Sequence, residues 1–272
     1  MDDLRVSLVQ GATRWHDPDA NRAYYGDLVA PLHGTTDLVL LPETFTSGFS
    51  NDAIDNAETM DGPTVAWIRE QARNLDAAVC GSVQLRVDGG MHSNSVFNRM
   101  LFATPDGELR HYDKRHLFRY ANEHERYAAG RDRLVLDWRG WRICPLVCYD
   151  LRFPVFSRNR FDVERPGQPD YDLALYVANW PAVRAHAWKT LLRARAIENL
   201  CYVAGLNRVG TDGNGHHYSG DSAILDFLGE PVSECTDMEV VSTTTISGER
   251  LQAHREHFPA MLDADRFQVS GL

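Results

Sequence analysis

The stretch WRICPLVCYD (141–150) decides how the rest of the chain is read. Trp141, Ile143, Leu146 and Val147 mark a buried strand, and Cys148 stands at its end. Free cysteine is among the most buried residue types and commonly serves as a small hydrophobe. Cys148 is therefore either a piece of core or a group presented at a strand tip. Two other apolar runs end in the same manner. DLVLLPE (37–43) closes on Glu43, and LRHYDK (109–114) closes on Lys114. In layered α/β folds, sites gather outside the ends of strands. Glu43 alone, or Lys114 beside Arg115, reads as a solvated charge. Three reactive residues at three strand tips read as a site.

Working outward, RVSLVQ (5–10) is a strand, and Asp17 with Pro18 opens a helix running to about His33. Helical spacing at Val65, Ile68, Ala72 and Leu75 predicts a helix over 62–76, followed by a strand over 77–87. Residues 94–114 read as a hairpin turning at PDGE (105–108). After a loop and the 141–150 strand come a short helix (151–160), a strand (172–180), a helix (186–200) and a strand from Cys201. A hairpin turning at 228–230, the strand VVSTTTIS and the helix GERLQAHREHF follow. Strands and helices alternate, with hairpins between, which predicts a layered α/β fold with mixed sheets. No linker, repeat or low-complexity tract interrupts it, so one domain over 1–272 is expected.

The chain has 272 residues, 43% hydrophobic and 24% charged, the make-up of a globular protein with a sizeable core. Its formal net charge of −10 argues against a nonspecific nucleic-acid grip or an anionic membrane surface. The opening MDDLRVSLVQ has no basic region ahead of an apolar core, so no signal peptide is expected. No apolar run has membrane-spanning length. Five cysteines, an odd count with no CxxC, fit reduced thiols in a cytoplasm better than a disulfide framework. No zinc or other metal site is expected. His216 and His217 sit in a Gly-rich segment that reads as a mobile loop, and GTDGNG (210–215) as a turn cluster.

The three tips have a chemical logic. A thiol with a pKa near ~8.5 is mostly protonated at neutral pH. The thiolate is the nucleophile, so a base or a positive field must help. A carboxylate takes the proton, and an ammonium stabilises the oxyanion of a tetrahedral intermediate. Glu, Lys and Cys form a complete acyl-transfer set without histidine or cofactor.

LLPETF (40–45), YDKRHLF (112–118) and CYDLRFP (148–154), in this order, resemble the nitrilase, or carbon–nitrogen hydrolase, superfamily. The resemblance runs from the first strand to about residue 246. It implies a four-layer α-β-β-α sandwich, a homodimer packed helix against helix, and a Glu43–Lys114–Cys148 triad acting through a thioester. It also implies a second glutamate in the loop after the lysine. Glu123, seven residues before Gly130, has the family's spacing and is preferred to Glu125.

Four further stretches (115–130, 148–160, 175–199 and 202–222) are similar to bacterial omega-amidases, which hydrolyse the terminal amide of 2-oxoglutaramate and 2-oxosuccinamate. The Tyr149 N–H, just past the nucleophile in CYDLRF, is a candidate second oxyanion donor, and the resemblance implies Trp180 as pocket wall. Arg184 is a candidate fork for a substrate carboxylate, against the alternative of a solvent-facing arginine at a helix start. Asp150 and Arg152 read as scaffold. The expected function is a cofactor-free cytoplasmic amidase for a small-molecule amide. Its rivals are deaminated-glutathione amidase, N-carbamoyl hydrolase, nitrilase, and a catalytically silent binding protein on the same scaffold.

Overall fold

The computed structural model describes residues 1–52, 55, 57–87, 95–161 and 168–265. Asn94, the first residue of the expected hairpin, lies outside the described residues. The strands are β1 (Leu4–Gln10), β2 (Leu38–Leu40), β3 (Ala78–Val87), β4 (Ser95–Ala103) and β5 (Leu109–Asp113). They continue with β6 (Leu136–Trp138), β7 (Trp141–Val147), β8 (Leu173–Ala178), β9 (Tyr202–Asn207), β10 (Val209–Thr211), β11 (His217–Ser219), β12 (Ala223–Leu225), β13 (Pro231–Glu234) and β14 (Val240–Ile246).

Two six-stranded sheets form, ordered β14-β1-β2-β3-β4-β5 and β13-β12-β9-β8-β7-β6. Each has a parallel trio at its centre: β1, β2 and β3 in one, β7, β8 and β9 in the other. Antiparallel strands flank both trios. Parallel neighbours need crossovers, and three longer helices supply or flank them: α1 (Pro18–Val29), α2 (Pro63–Leu75) and, past the short helices α3 (Glu123–Arg126) and α4 (Pro154–Ser157), α5 (Ala185–Asn199). The helix α6 (Gly248–His257) and a 3-10 turn (Ala260–Asp263) close the described fold.

The alternation along β2 separates the layers. Leu38 and Leu40 join a core shared with Ile143, Leu146 and Leu175 of the second sheet. Val39 and Leu41 turn to the other side and pack with Tyr25, Val29, Val65, Ile68 and Ala72 of α1 and α2. Behind the second sheet, a Cβ on Gly205 would come 2.5 Å from the Leu192 side chain of α5, so glycine lets helix and strand approach without displacing that side chain. The result is a four-layer α-β-β-α sandwich.

Local signals set the helix ends. Asp17 accepts from Ala20 N–H at 3.0 Å, and Pro18 and Pro63 occupy first-turn positions that need no amide hydrogen. The ladder of β2 ends at Leu40, sooner than the apolar run to residue 43 suggests, because Pro42 has no N–H to give and Thr44 turns the chain with φ +44°. β6 was hidden in an apparent loop, being too short to show alternation. The segment around His216 is not a free loop. It closes the β10–β11 hairpin, where Asp212 Oδ1 accepts from the N–H groups of Asn214 and His216 at 2.9 Å each.

Candidate active site

Three chain reversals bring Glu43, Lys114 and Cys148 to the same edge of the two sheets. After β2, Thr44 N–H donates to Ser82 Oγ at 2.9 Å and Phe45 N–H to Ser82 O at 3.1 Å, which fixes the turn that carries Glu43. After β5, Lys114 N–H bonds Asn98 O, and Gly130 N–H bonds Lys114 O, each at 2.9 Å. A Cβ at Gly130 would strike the Asp113 carbonyl, so the loop closes on Lys114 only through glycine. After β7, Cys148 starts a 3-10 turn (Cys148–Arg152) with φ +46°, a region sparsely populated by residues other than glycine. A sharp turn from strand to helix pushes the side chain outward.

Asp150 ties the cysteine turn to the lysine turn. Its Oδ2 accepts from Val147 N–H at 3.0 Å and from the Tyr112 hydroxyl at 2.8 Å. Its Oδ1 accepts from His116 N–H at 3.0 Å and from His116 Nδ1 at 2.8 Å. A carboxylate only accepts, so His116 carries its proton on Nδ1. Asp150 is scaffold, as its sequence context suggested.

Behind the cysteine lies a buried charge cluster. Lys114 is 1% exposed, and Glu43 and Glu123 are 0% exposed. Lys114 Nζ donates to Glu43 Oε1 at 2.9 Å and to both oxygens of Glu123 at 3.0 Å. Asn98 Nδ2 adds 2.8 Å to Glu43 Oε1, and Asn179 N–H adds 2.8 Å to Glu43 Oε2. Phe118 N–H reaches Glu123 Oε2 at 2.6 Å. Glu125, the alternative glutamate, is exposed. Burial opposes charging Lys114, but the two carboxylates outweigh it and hold its pKa well above the usual lysine value. Burial pushes Glu123 up, and Glu43 adds to this against the pull of Lys114. The Cys148 thiol is pushed well above its ordinary range by burial first, then by the negative charge of Glu43, and its Sγ lies 4.0 Å from Asn179 O. Lys114 opposes this without overcoming it. Burial thus favours the protonated thiol at Cys148.

Cys148 opens onto a cavity of about 370 Å³. Lys114, Asn179 and Phe49 lie at its inner part, and Lys114 Nζ stands 5.2 Å from the centre of the Phe49 ring. Tyr149, Trp180 and Arg184 line it, as do Phe118, Tyr120, His216 and Arg152. Tyr149 occupies the second position of the 3-10 turn, where a helix offers its N–H no acceptor. Asn98, Asn179 and Phe49 were not singled out from sequence, and His216, read as part of a mobile loop, lines the cavity. Arg152, read as scaffold, instead faces the cavity.

A model of the family described as carbon-nitrogen hydrolase matches residues 5–256. The chain belongs to the carbon–nitrogen hydrolase family. This carbon–nitrogen hydrolase is 49% identical to the omega-amidase YafV of Yersinia enterocolitica over 98% of the chain and 99% of that protein. It is 30% identical to the 2-oxoglutaramate amidase of Bacillus subtilis over 84% of each. A CN-hydrolase superfamily protein of Xanthomonas campestris, solved with an arsenic adduct in its active site, superposes with a TM-score of 0.96 at 69% identity, covering 99% of this chain and all of that one. The chain is an amide-hydrolysing enzyme of this family. Among the described residues no helix is long and apolar enough to cross a membrane.

Proposed function

We propose that the enzyme is an omega-amidase that hydrolyses the terminal amide of 2-oxo acid amides such as 2-oxoglutaramate and 2-oxosuccinamate. The observation that carries the reading is the Lys114 ammonium, buried between Glu43 and Glu123, behind a cysteine that opens to a cavity. The names of the Yersinia and Bacillus relatives support the substrate class.

In this reading Cys148 Sγ attacks the amide carbon as its proton passes to Glu43. The oxyanion is met by Lys114 and the Tyr149 N–H. Glu43 returns the proton to nitrogen, ammonia leaves, and a thioester remains. Glu43 then takes a proton from water, which attacks the thioester and frees the 2-oxo dicarboxylate and the thiol. Glu123 holds Lys114 in place and balances its charge. Trp180 forms the wall of the acyl pocket, and Arg184 receives the substrate's far carboxylate. No cofactor or metal takes part in these steps.

The reading takes residues 1–272 as one catalytic domain acting as a homodimer in the cytoplasm, with no nucleic-acid or membrane partner. The exposed Ile197 at the end of α5 and the exposed Leu228 beside it support an apolar contact between copies. Light scattering on a sizing column reads the dimer.

The decisive assay is ammonia release from 2-oxoglutaramate, glutamine, butyramide, an N-carbamoyl amino acid and a nitrile. The expected order puts 2-oxoglutaramate first in kcat/KM. A clear preference for glutamine, the carbamoyl compound or the nitrile overturns the substrate assignment.

A further inference from the structure

Two guanidinium groups from different elements reach the same cavity. Arg152 ends the 3-10 turn that begins at Cys148, and Arg184 lies in the turn ahead of α5. The Arg152 guanidinium lies 5.0 Å from the centre of the Trp180 ring. That of Arg184 lies 5.4 Å from Phe118 and 6.0 Å from Tyr120. Among the described residues neither meets a carboxylate. Arg99, Arg142, Arg195 and Arg255, by contrast, are each paired with an Asp or Glu. In a chain of net charge −10, two uncompensated cations facing one cavity are a charge pattern that asks for an anion.

Trp180 holds both. It is 4% exposed, packs against Trp188 at 5.5 Å, carries Arg152 on its ring, and donates from Nε1 to Arg184 O at 2.9 Å. Arg152, itself exposed, thus rests on a buried ring, and Arg184 is half-buried. The cavity is polarised along its length. Two carboxylates flank its lysine at the cysteine end, and the two arginines line the remaining wall.

We propose that Arg152 acts together with Arg184 as the specificity determinant that selects 2-oxo acid amides over α-amino acid amides. This rests on the amidase reading above. A 2-oxo acid presents a carboxylate and a keto oxygen side by side, all acceptors, and guanidinium groups are pure donors. An α-amino acid presents a carboxylate beside an ammonium. The ammonium has only protons to offer and is repelled by the same two cations, so the zwitterion gains little. Arg152 thereby gives the 2-oxo preference an electrostatic basis in this chain.

The test compares kcat/KM for 2-oxoglutaramate, glutamine and butyramide in the unmodified enzyme, Arg152→Leu, Arg152→Lys and Arg184→Leu. Arg152→Leu is expected to lose roughly 10- to 100-fold on 2-oxoglutaramate, mainly through KM, as fits a lost charge-assisted contact. The loss on butyramide should be smaller by about tenfold or more, and Arg152→Lys should recover part of the difference. Calorimetry of 2-oxoglutarate with Cys148→Ala, with and without Arg152→Leu, reads the same contact without turnover and should show a weaker Kd. Equal losses on all three amides, or an unchanged ratio of 2-oxoglutaramate to glutamine, overturns the proposal. An unmodified enzyme that prefers butyramide overturns the omega-amidase reading, and this proposal with it.

Discussion

Lys114 Nζ lies 3.0 Å from each oxygen of Glu123, whereas Glu43 offers the same ammonium only one oxygen, at 2.9 Å. The two glutamates are therefore not equivalent. Glu123 chelates the ammonium and is pinned by Phe118 N–H. Glu43 keeps its second oxygen against Asn179 N–H, and its charge bears on the Cys148 thiol. Glu43 is placed to exchange a proton with sulfur, and Glu123 is placed to hold the lysine.

Cys148→Ala is expected to abolish ammonia release while the far-UV spectrum and Tm stay close to those of the unmodified enzyme, since the lost atom is the one that bonds carbon. Cys144→Ala should remain active. Cys144 is fully buried in β7 and its cost is a small cavity, on the order of 1 kcal/mol. Turnover by Cys148→Ala would end the mechanistic proposal.

Lys114→Met should reduce kcat by at least roughly 10²–10³-fold, the usual worth of an oxyanion donor. It also leaves two buried carboxylates without a counter-charge. The stability loss should approach 3–5 kcal/mol, the typical result of removing one partner from a buried ion pair. Glu43→Gln should be as severe in rate and much milder in urea denaturation, because the isosteric amide leaves Lys114 paired with Glu123.

Glu123→Gln should slow turnover by about tenfold or more and lower Tm, since it removes the lysine's bidentate partner. Glu125→Gln should change either property little, since Glu125 is exposed on the same short helix. Reversed effects on kcat would move the second glutamate's role from Glu123 to Glu125.

These residues differ in how far the sequence disclosed them. LLPE and PLVC announce strand tips because an apolar run stops there on a charge or thiol, whereas Lys114 ends the mostly polar stretch HYDK and is legible only beside the other two motifs. Glu123 was reached by its spacing to Gly130, and the closure of that glycine on Lys114 is the physical content of the spacing. Asn98 and Asn179 were not legible. Asn98 sits mid-strand in a hairpin, and only the pairing of β4 with β3 and β5 brings it beside Glu43. Arg152 follows Asp150 by two residues, and a 3-10 turn sends those side chains to different sides, one inward and one to the cavity. Sequence separation alone does not distinguish them.

The pH dependence follows from the same cluster. The Cys148 thiol is pushed well above its ordinary range by burial and then by Glu43. Its alkylation rate by iodoacetamide should show no ionisation step between about pH 7 and 9, where a free thiol titrates. Lys114 is raised above its unfolded value, because Glu123 and Glu43 outweigh burial. A group of this kind contributes stability that is whole below the unfolded pKa and is lost as pH rises through the folded one. Unfolding free energy should therefore fall above about pH 10.5. The share owed to Lys114 should be absent in Lys114→Met. A thiol step near pH 8.5, or an unchanged alkaline slope in Lys114→Met, would contradict this account of the cluster.

Asp150→Asn separates positioning from chemistry. Asp150 is fully buried and accepts four hydrogen bonds, two on each oxygen. Asparagine keeps the shape but turns one of those oxygens into a donor. Either the Val147 N–H and Tyr112 hydroxyl, or the two His116 donors, would then face an N–H group. The Tyr112 hydroxyl and the His116 ring can rotate or change tautomer, but the two backbone N–H groups cannot. The stability cost should be about 1–3 kcal/mol, that of a buried donor left unsatisfied. The turn at Cys148 has a positive φ and depends on the Val147 contact to persist, so the thiol should lose its alignment with Glu43. We expect kcat to fall by roughly 10- to 100-fold with KM changed much less, the signature of a group that acts through geometry at the reacting atoms. His116→Ala removes only the ring contact and should cost less in both measures. A loss of stability in Asp150→Asn with kcat intact at low temperature would show that the bridge between the two turns serves the fold alone.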